Sequence, residues 1–472
     1  MRSRNGSRLG EWHAPENSKK KCDVLARFPM VPRRESFQSV TLIQLSGETA
    51  ARSVRPGASE AAESGNQCVC AQLQIRRKFM RLMRYQFPSV NIGLLVGAWF
   101  FLQARSGRAE DAISYKYVDY RESGDRMTVE SHYGLIEKDF GPDMHLKLQG
   151  VIDAIAGATP TGAPPATPGG NVPLFQTTDR RKGWSGDLAR QFSRVNVDAG
   201  YAYSRESDYV SNGWSLNTLT DFNQKNTTLL LGAAGTDDDV KVIFQTPWAK
   251  KRGRDFIAGV TQLLSPVTSV TFNIGWGRAT GFLSDPYRLI EQNTLVTFEG
   301  SNGPPVFLEQ FYNENRPATR EHTTFYAAIN HSVAGLNGAI EASYRFFRDT
   351  FGTDAHTVDL AWFQKIGERF VLRPGFRFYD QSAANFYQVD LDNAPFTPSG
   401  RPAPAGPFFS SDYRLSAFRS YNYGLKAIWT IAAAWRVDAA IERYEMHGRD
   451  NVTSRSVYPT ATIVTAGLRF SW

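Results

Sequence analysis

The stretch Val464-Thr465-Ala466-Gly467-Leu468-Arg469-Phe470-Ser471-Trp472 decides the fold. Successive side chains on an extended strand point to opposite faces. Val464, Ala466, Leu468, Phe470 and Trp472 therefore share one face, and Thr465, Gly467, Arg469 and Ser471 the other. One face is apolar and the other is polar and charged.

The same period recurs upstream. Trp435, Val437, Ala439 and Ile441 alternate with Arg436, Asp438 and Glu442. Phe370, Leu372, Phe376 and Phe378 alternate with Arg373, Gly375 and Arg377, and Ile340, Ala342, Tyr344 and Phe346 with Glu341, Ser343 and Arg345. Val270 to Trp276 and Val195 to Tyr203 repeat the pattern. From Glu110 onward no amphipathic helix is evident. Alternation alone also fits a soluble sandwich, but these segments exceed the roughly five or six residues usual in soluble strands. A tilted membrane strand needs about 9–11 residues plus overhang. Aromatics at strand ends (Trp184, Tyr203, Trp276, Trp362, Phe378, Trp429, Trp435 and Trp472) suit the two girdles at lipid–water interfaces.

The pattern predicts about sixteen strands (14–16), at 112–122, 126–138, 143–158, 181–193, 195–207, 211–222, 226–236, 254–264, 267–280, 320–332, 336–349, 353–366, 369–381, 413–431, 434–447 and 460–472. Short turns alternate with longer loops at 159–180, 237–253, 281–319, 382–412 and 448–459. The expected fold is all-β: a transmembrane antiparallel up-and-down barrel with short periplasmic turns and long outer loops. Closure leaves no unpaired backbone edge facing lipid.

The first quarter reads differently. Residues 1–109 hold 18 of the 54 Lys and Arg but 7 of the 46 Asp and Glu, so 110–472 carries 36 basic and 39 acidic residues, a net −3. The basic excess that might have suggested nucleic acid is confined to that quarter, and no nucleic-acid partner is expected. Cys22, Cys68 and Cys70 also precede residue 109. A thiol-free remainder suits an oxidising envelope compartment. Met80 and Met83 lie beside Arg81 and Arg84, followed by an apolar run from Val90 to Leu102 and the small-x-small exit Gly107-Arg108-Ala109. That is the plan of a secretory signal peptide, and the run is shorter than the roughly 20 residues of a spanning helix. A buried core helix is the alternative. The expected organisation is 1–79 a non-native or disordered extension, 80–109 a signal peptide and 110–472 an outer-membrane barrel.

Several motifs occur together and in order. They are Gly157-Ala158-Thr159-Pro160-Thr161-Gly162, Ser204-Arg205-Glu206-Ser207-Asp208-Tyr209 and Gly281-Phe282-Leu283-Ser284-Asp285-Pro286-Tyr287-Arg288. Glu314-Asn315-Arg316-Pro317 with Arg320, Tyr379-Asp380-Gln381-Ser382-Ala383-Ala384-Asn385-Phe386-Tyr387 and Ser411-Asp412-Tyr413-Arg414-Leu415-Ser416 follow. Over about 112–472 the chain resembles the domain of unknown function 3570 family of predicted bacterial outer-membrane barrels. The resemblance implies location and architecture and carries no reaction.

Candidate residues fall in two groups. Glu341, Arg345, Asp359, Arg373, Arg377, Lys426, Arg436, Asp438, Glu442 and Arg469, with Lys147 and Asp198, are expected on the lumen face, where charge needs water or a partner. Sixteen strands is a size that leaves an aqueous channel. Arg345, Arg373 and Arg377 point towards anionic solutes. Asp285, Arg288, Arg316 and Arg320 flank the longest loop and are constriction candidates; alternatively, Asp–Arg pairs there satisfy each other while the loop closes the barrel top. Asn330-His331-Ser332 has adjacent residues on opposite faces, unsuited to catalysis. Asp237-Asp238-Asp239 and Lys250-Lys251-Arg252 read as solvated loop charges. No catalytic residue, metal or cofactor is expected. The expected partners are outer-membrane lipid, the barrel-insertion machinery, and either small solutes or a periplasmic or surface protein. A porin-like channel and a plugged scaffold barrel are the two functions this pattern fits.

Overall fold

The structure is a computed structural model and describes residues 111–472 except 168, 243–245, 297–303, 305, 393, 397–401 and 404–405. The extension at 1–79, the signal peptide at 80–109 and the three cysteines lie outside the described residues.

The strands are β1 (Ala112–Glu122), β2 (Thr128–Phe140), β3 (Met144–Pro160), β4 (Leu174–Phe192), β5 (Val195–Arg205) and β6 (Tyr209–Phe222). Next come β7 (Thr227–Val240), β8 (Ala249–Ser265), β9 (Thr268–Gly281), β10 (Leu289–Val296), β11 (Val306–Asn313) and β12 (Thr319–Val333). β13 (Gly338–Asp349), β14 (Asp354–Ile366), β15 (Phe370–Gln381), β16 (Phe418–Ala432), β17 (Trp435–Gly448) and β18 (Thr460–Ser471) complete the chain. Sixteen of them form one closed antiparallel barrel, and β10 and β11 make a separate hairpin between β9 and β12.

The final strand closes the ring. β18 pairs with β17 on one side and β1 on the other, with Ala112 opposite Ser471. The Trp472 N–H donates to the Asp111 carbonyl at 3.0 Å. Arg469 on the inner face forms an ion pair with Glu137 of β2. On the outer face the Phe470 ring lies between Trp435 (4.7 Å) and Trp472 (5.6 Å).

The alternation maps onto inside and outside. Leu425, Trp429, Ile441, Leu468 and Phe376 stand exposed on the outer surface, with no protein covering them. An uninterrupted apolar exterior on a closed barrel is stable in a bilayer and would aggregate in water. One end of the barrel is trimmed by tight turns. Several adopt positive φ, such as Gly141 (69°), Asn337 (49°) and Gly367 (61°), as two- to four-residue reversals require. The other end carries the long connections.

Some expected loops are shorter. The 159–180 segment contracts to 161–173 because β4 begins at Leu174, and 237–253 contracts to 241–248 because β7 and β8 run on. Asp237 pairs with Arg252 (2.8 Å) and Arg254 (2.9 Å), and Asp239 with Lys250, across a continuous ladder. Charges on both faces of a hairpin standing above the membrane erase the apolar alternation that marks a strand. The 281–319 segment, expected as a loop, contains β10 and β11. The strand expected from residue 413 starts at Phe418, because Tyr413–Leu415 is a short 3-10 turn whose Asp412 side chain accepts from the Arg414 N–H.

Candidate functional site

The long connections at the loop end pack on one another. Three small apolar cores hold them: Val172, Phe418, Met446, Val457 and Tyr458; Ile290, Leu391, Ala394 and Phe409; and Phe351, Ala384, Phe386 and Leu415. Each joins segments distant in sequence. Polar contacts add to them. Arg126 donates to the Ser456 carbonyl (2.8 Å), Val172 N–H to the Ser456 hydroxyl (3.0 Å), and the Tyr387 and Thr453 hydroxyls bond at 2.7 Å. At Gly162 (φ 100°) an added Cβ would sit 2.0 Å from the Leu289 carbonyl, so only glycine admits this close approach of two loops.

At the centre lies a buried cluster of three arginines and three carboxylates. Arg316 pairs with Glu314 (2.6 Å) and Asp412 (2.8 Å), and Arg414 with Asp412 (2.6 Å) and Asp285 (2.7 Å). Arg288 lies 3.8 Å from Asp285 and 3.9 Å from Asp412, donates to the Pro160 carbonyl, and stacks on Tyr413 at 5.5 Å. Burial alone would raise the Asp412 carboxyl. The guanidiniums of Arg414, Arg288 and Arg316 outweigh it and hold that carboxyl well below the usual carboxylate range. Burial pushes the Glu314 carboxyl up against the pull of Arg316.

The ring order locates this cluster. Arg288 hangs from the loop after β9, Pro160 ends β3, and Asp412 precedes β16. Around the ring β3 and β16 are five places apart, β16 and β9 five, and β9 and β3 six. The cluster therefore ties together connections from three widely spaced parts of the ring, as the keystone of a cap.

Below the cap the wall is charged and wet. Arg377 pairs with Asp359 in the facing register of β15 and β14, yet their side chains remain 50% and 37% exposed. Both lie on the inner face, and their surface is left uncovered by protein there. Lys426 pairs with Asp438 at 3.0 Å, and Glu442 accepts from Asn422 at 2.7 Å. A few strands further round the ring, Asp255 of β8 sits 3.4 Å from His322 of β12 and is 54% exposed.

A family model described as a protein of unknown function (DUF3570) matches residues 101–256 and 243–472. The chain belongs to the DUF3570 family. No curated protein matches it. Among solved structures, the DUF3570 barrel is similar to the siderophore receptor PirA from Pseudomonas aeruginosa, at 11% identity and TM-score 0.39, covering 77% of this chain and 62% of that one. It thus spans less than two thirds of that receptor. It is also similar to the outer membrane protein opdK from Pseudomonas aeruginosa (9% identity, TM-score 0.37, 77% and 99% covered). A bacterial polysaccharide outer membrane secretin is a third (8%, 0.42, 78% and 100%). At these identities and scores the likenesses assign neither solute nor partner.

The DUF3570 barrel places Glu341, Arg345, Asp359, Arg373, Arg377, Lys426, Arg436, Asp438, Glu442 and Arg469 on the parity opposite the apolar exterior. Arg345 reaches Thr357 at 3.5 Å, and Arg373 lies over Phe363 at 5.1 Å. Of the loop candidates, Asp285, Arg288 and Arg316 meet in the cap. Arg320 stands apart on the wall, paired with Asp349 (2.6 Å) over Phe351 (4.9 Å). Sequence reasoning missed Glu314, Asp412 and Arg414 as members of the cluster, although each lies in a quoted family motif. The available signal was charge sign: the motifs at the ends of the two longest loops carry complementary Asp, Glu and Arg. His331 bonds Thr268 at 2.8 Å on the outer face near the short-turn end.

Proposed function

We propose that this DUF3570 barrel is an outer-membrane diffusion channel for small solutes, with the loop cap as its narrowest passage. The observation that carries this reading is the water-exposed charge inside the barrel, above all Arg377 and Asp359. A packed interior would exclude such side chains from solvent. In this reading the short turns face the periplasm and the cap faces outward. Arg345, Arg373 and Arg377 favour small anions, while the cap held by Asp285, Arg288 and Arg316 sets the constriction and Arg320 stands on the wall beside it. Residues 80–109 direct export, and the barrel-insertion machinery reads the final strand ending in Trp472.

The test is conductance of the folded barrel in a planar bilayer. Discrete ion-conducting steps, changed in size by Arg316→Ala, are expected. A second reading, a plugged barrel that anchors a periplasmic or surface protein, draws support from the buried cluster that ties the long loops together. Absence of steps in wild type and Arg316→Ala alike, in correctly folded samples, would select that reading.

A further inference from the structure

The turn between β5 and β6 holds a second concentration of charge, beside the cap cluster and joined to it through Tyr287. Asp179 of β4 and Glu206 and Asp208 of the turn each bring one carboxylate oxygen within 4.8 Å of the others. Oxygens bound to one calcium ion at about 2.4 Å lie no further apart than about twice that, so this spread fits a shared cation. Proximity of acids alone would mean little. The second observation is Glu206 itself. It is 6% exposed, and its Oε2 has no hydrogen-bond partner. A buried carboxylate oxygen with nothing to accept from is costly, and native folds rarely leave one without an ion or water.

We propose that Asp179, Glu206 and Asp208 form a binding site for a divalent cation of the calcium class.

The surroundings suit a hard cation. The donors are all oxygen, as calcium prefers. The Ser207 hydroxyl donates to Asp179 Oδ2 at 2.9 Å and Arg180 N–H to Asp179 Oδ1 at 2.7 Å, which fixes that carboxylate. Tyr287 of the large loop donates to Asp208 Oδ2. Arg181, whose charge acts on Glu206, is engaged by Asp153 at 2.5 Å. Burial pushes the Glu206 carboxyl up to about 8, with Arg181 opposing and Asp179, Asp208 and Asp153 adding to the rise. A bound divalent ion supplies the positive charge this pocket lacks. Because Tyr287 also ends here, the ion would sit where the longest loop touches the wall.

Calorimetric titration of CaCl2 into the full chain, folded in detergent and stripped with EDTA, tests the site. One saturable event is expected. Glu206→Gln should weaken it at least tenfold, and Asp237→Asn, an exposed acid elsewhere on the loop end, should bind as the wild type does. Gln matches the shape of a glutamate that burial keeps largely protonated at neutral pH, so folding is expected to survive; heat-dependent gel mobility checks this. Absence of saturable heat in the folded wild type, or Glu206→Gln binding as tightly as the wild type, overturns the proposal. Neither readout depends on whether the barrel conducts.

Discussion

The cap and the lumen wall use the same side chains in opposite states. In the cap, Asp412 is 1% exposed and shared among three guanidiniums. In the wall, Asp359 keeps more than a third of its surface exposed, pairs with one guanidinium, Arg377, and accepts from the Ser343 hydroxyl at 3.5 Å. A buried ion pair gains little net stability over an apolar pair, but removing one partner strands the other charge. An exposed pair is screened and nearly neutral for stability. The cap cluster is therefore a structural keystone, while wall charges are free to act on whatever enters.

Asp412→Ala is the strongest way to break this contrast. It leaves Arg288, Arg316 and Arg414 buried with only Asp285 and Glu314 to share, and should cost the cap about 3 kcal/mol. The loss falls on the loops, because the sixteen-strand ladder does not pass through them. Limited proteolysis should cut within 382–417 while the barrel keeps its heat-dependent gel mobility. Asp359→Ala should cost under about 1 kcal/mol and leave the loops resistant. Equal effects from the two variants would erase the distinction.

A neighbouring pair sharpens the boundary between lipid and lumen. Leu425 faces outward at mid-strand and is 43% exposed, while Lys426 points inward to Asp438. Leu425→Arg should destabilise the barrel by roughly 2–4 kcal/mol, the penalty for arginine at a bilayer midplane. Lys426→Gln should change stability by less than about 1 kcal/mol. Folding titrations in urea with phospholipid vesicles would read both.

The same contrast explains what the sequence made legible. Strands such as Ile340–Phe346 and Val464–Trp472 announce themselves, because lipid on one side and water on the other impose a strict period of two. The ring, its sixteen strands and the inward charges follow from that period. The cap imposes no period. Arg288, Arg316 and Arg414 meet through loops that leave distant parts of a closed ring, and nothing local in the chain encodes that meeting. The extended β7–β8 ladder was hidden for a related reason: charges on both faces leave no alternation to find.

The carboxylate site sits between the two regions, and its pH dependence separates it from both. Glu206 holds its proton up to about pH 8 in the fold but releases it near the ordinary carboxylate range when unfolded. Its contribution to stability is thus fully present below about pH 4.5 and is lost as pH rises towards 8. Calcium must displace that proton, so affinity should rise with pH, about tenfold per unit below 8, and level off above it. Calorimetry at pH 6, 7, 8 and 9 checks the slope. Glu206→Gln should flatten it.

The smallest expected effect is the one closest to function. Arg377→Glu puts two carboxylates side by side in the lumen while removing no buried contact. Stability should stay within about 1 kcal/mol, since the side chain it replaces is half exposed. Ion selectivity should move towards cations, by roughly a factor of two in permeability ratio, because an exposed charge in water is worth under about 1 kcal/mol. The shift should be visible as a reversal potential in a dilute salt gradient and should fade in 1 M salt, where the screening length falls to about 3 Å. Charge at Arg316 sits in the cap behind its own carboxylates, so the same measurement on Arg316→Ala should show a changed step size with little loss of salt sensitivity. A selectivity shift that persists in 1 M salt would mean that Arg377 acts at a dehydrated contact, and the wall would then resemble the cap.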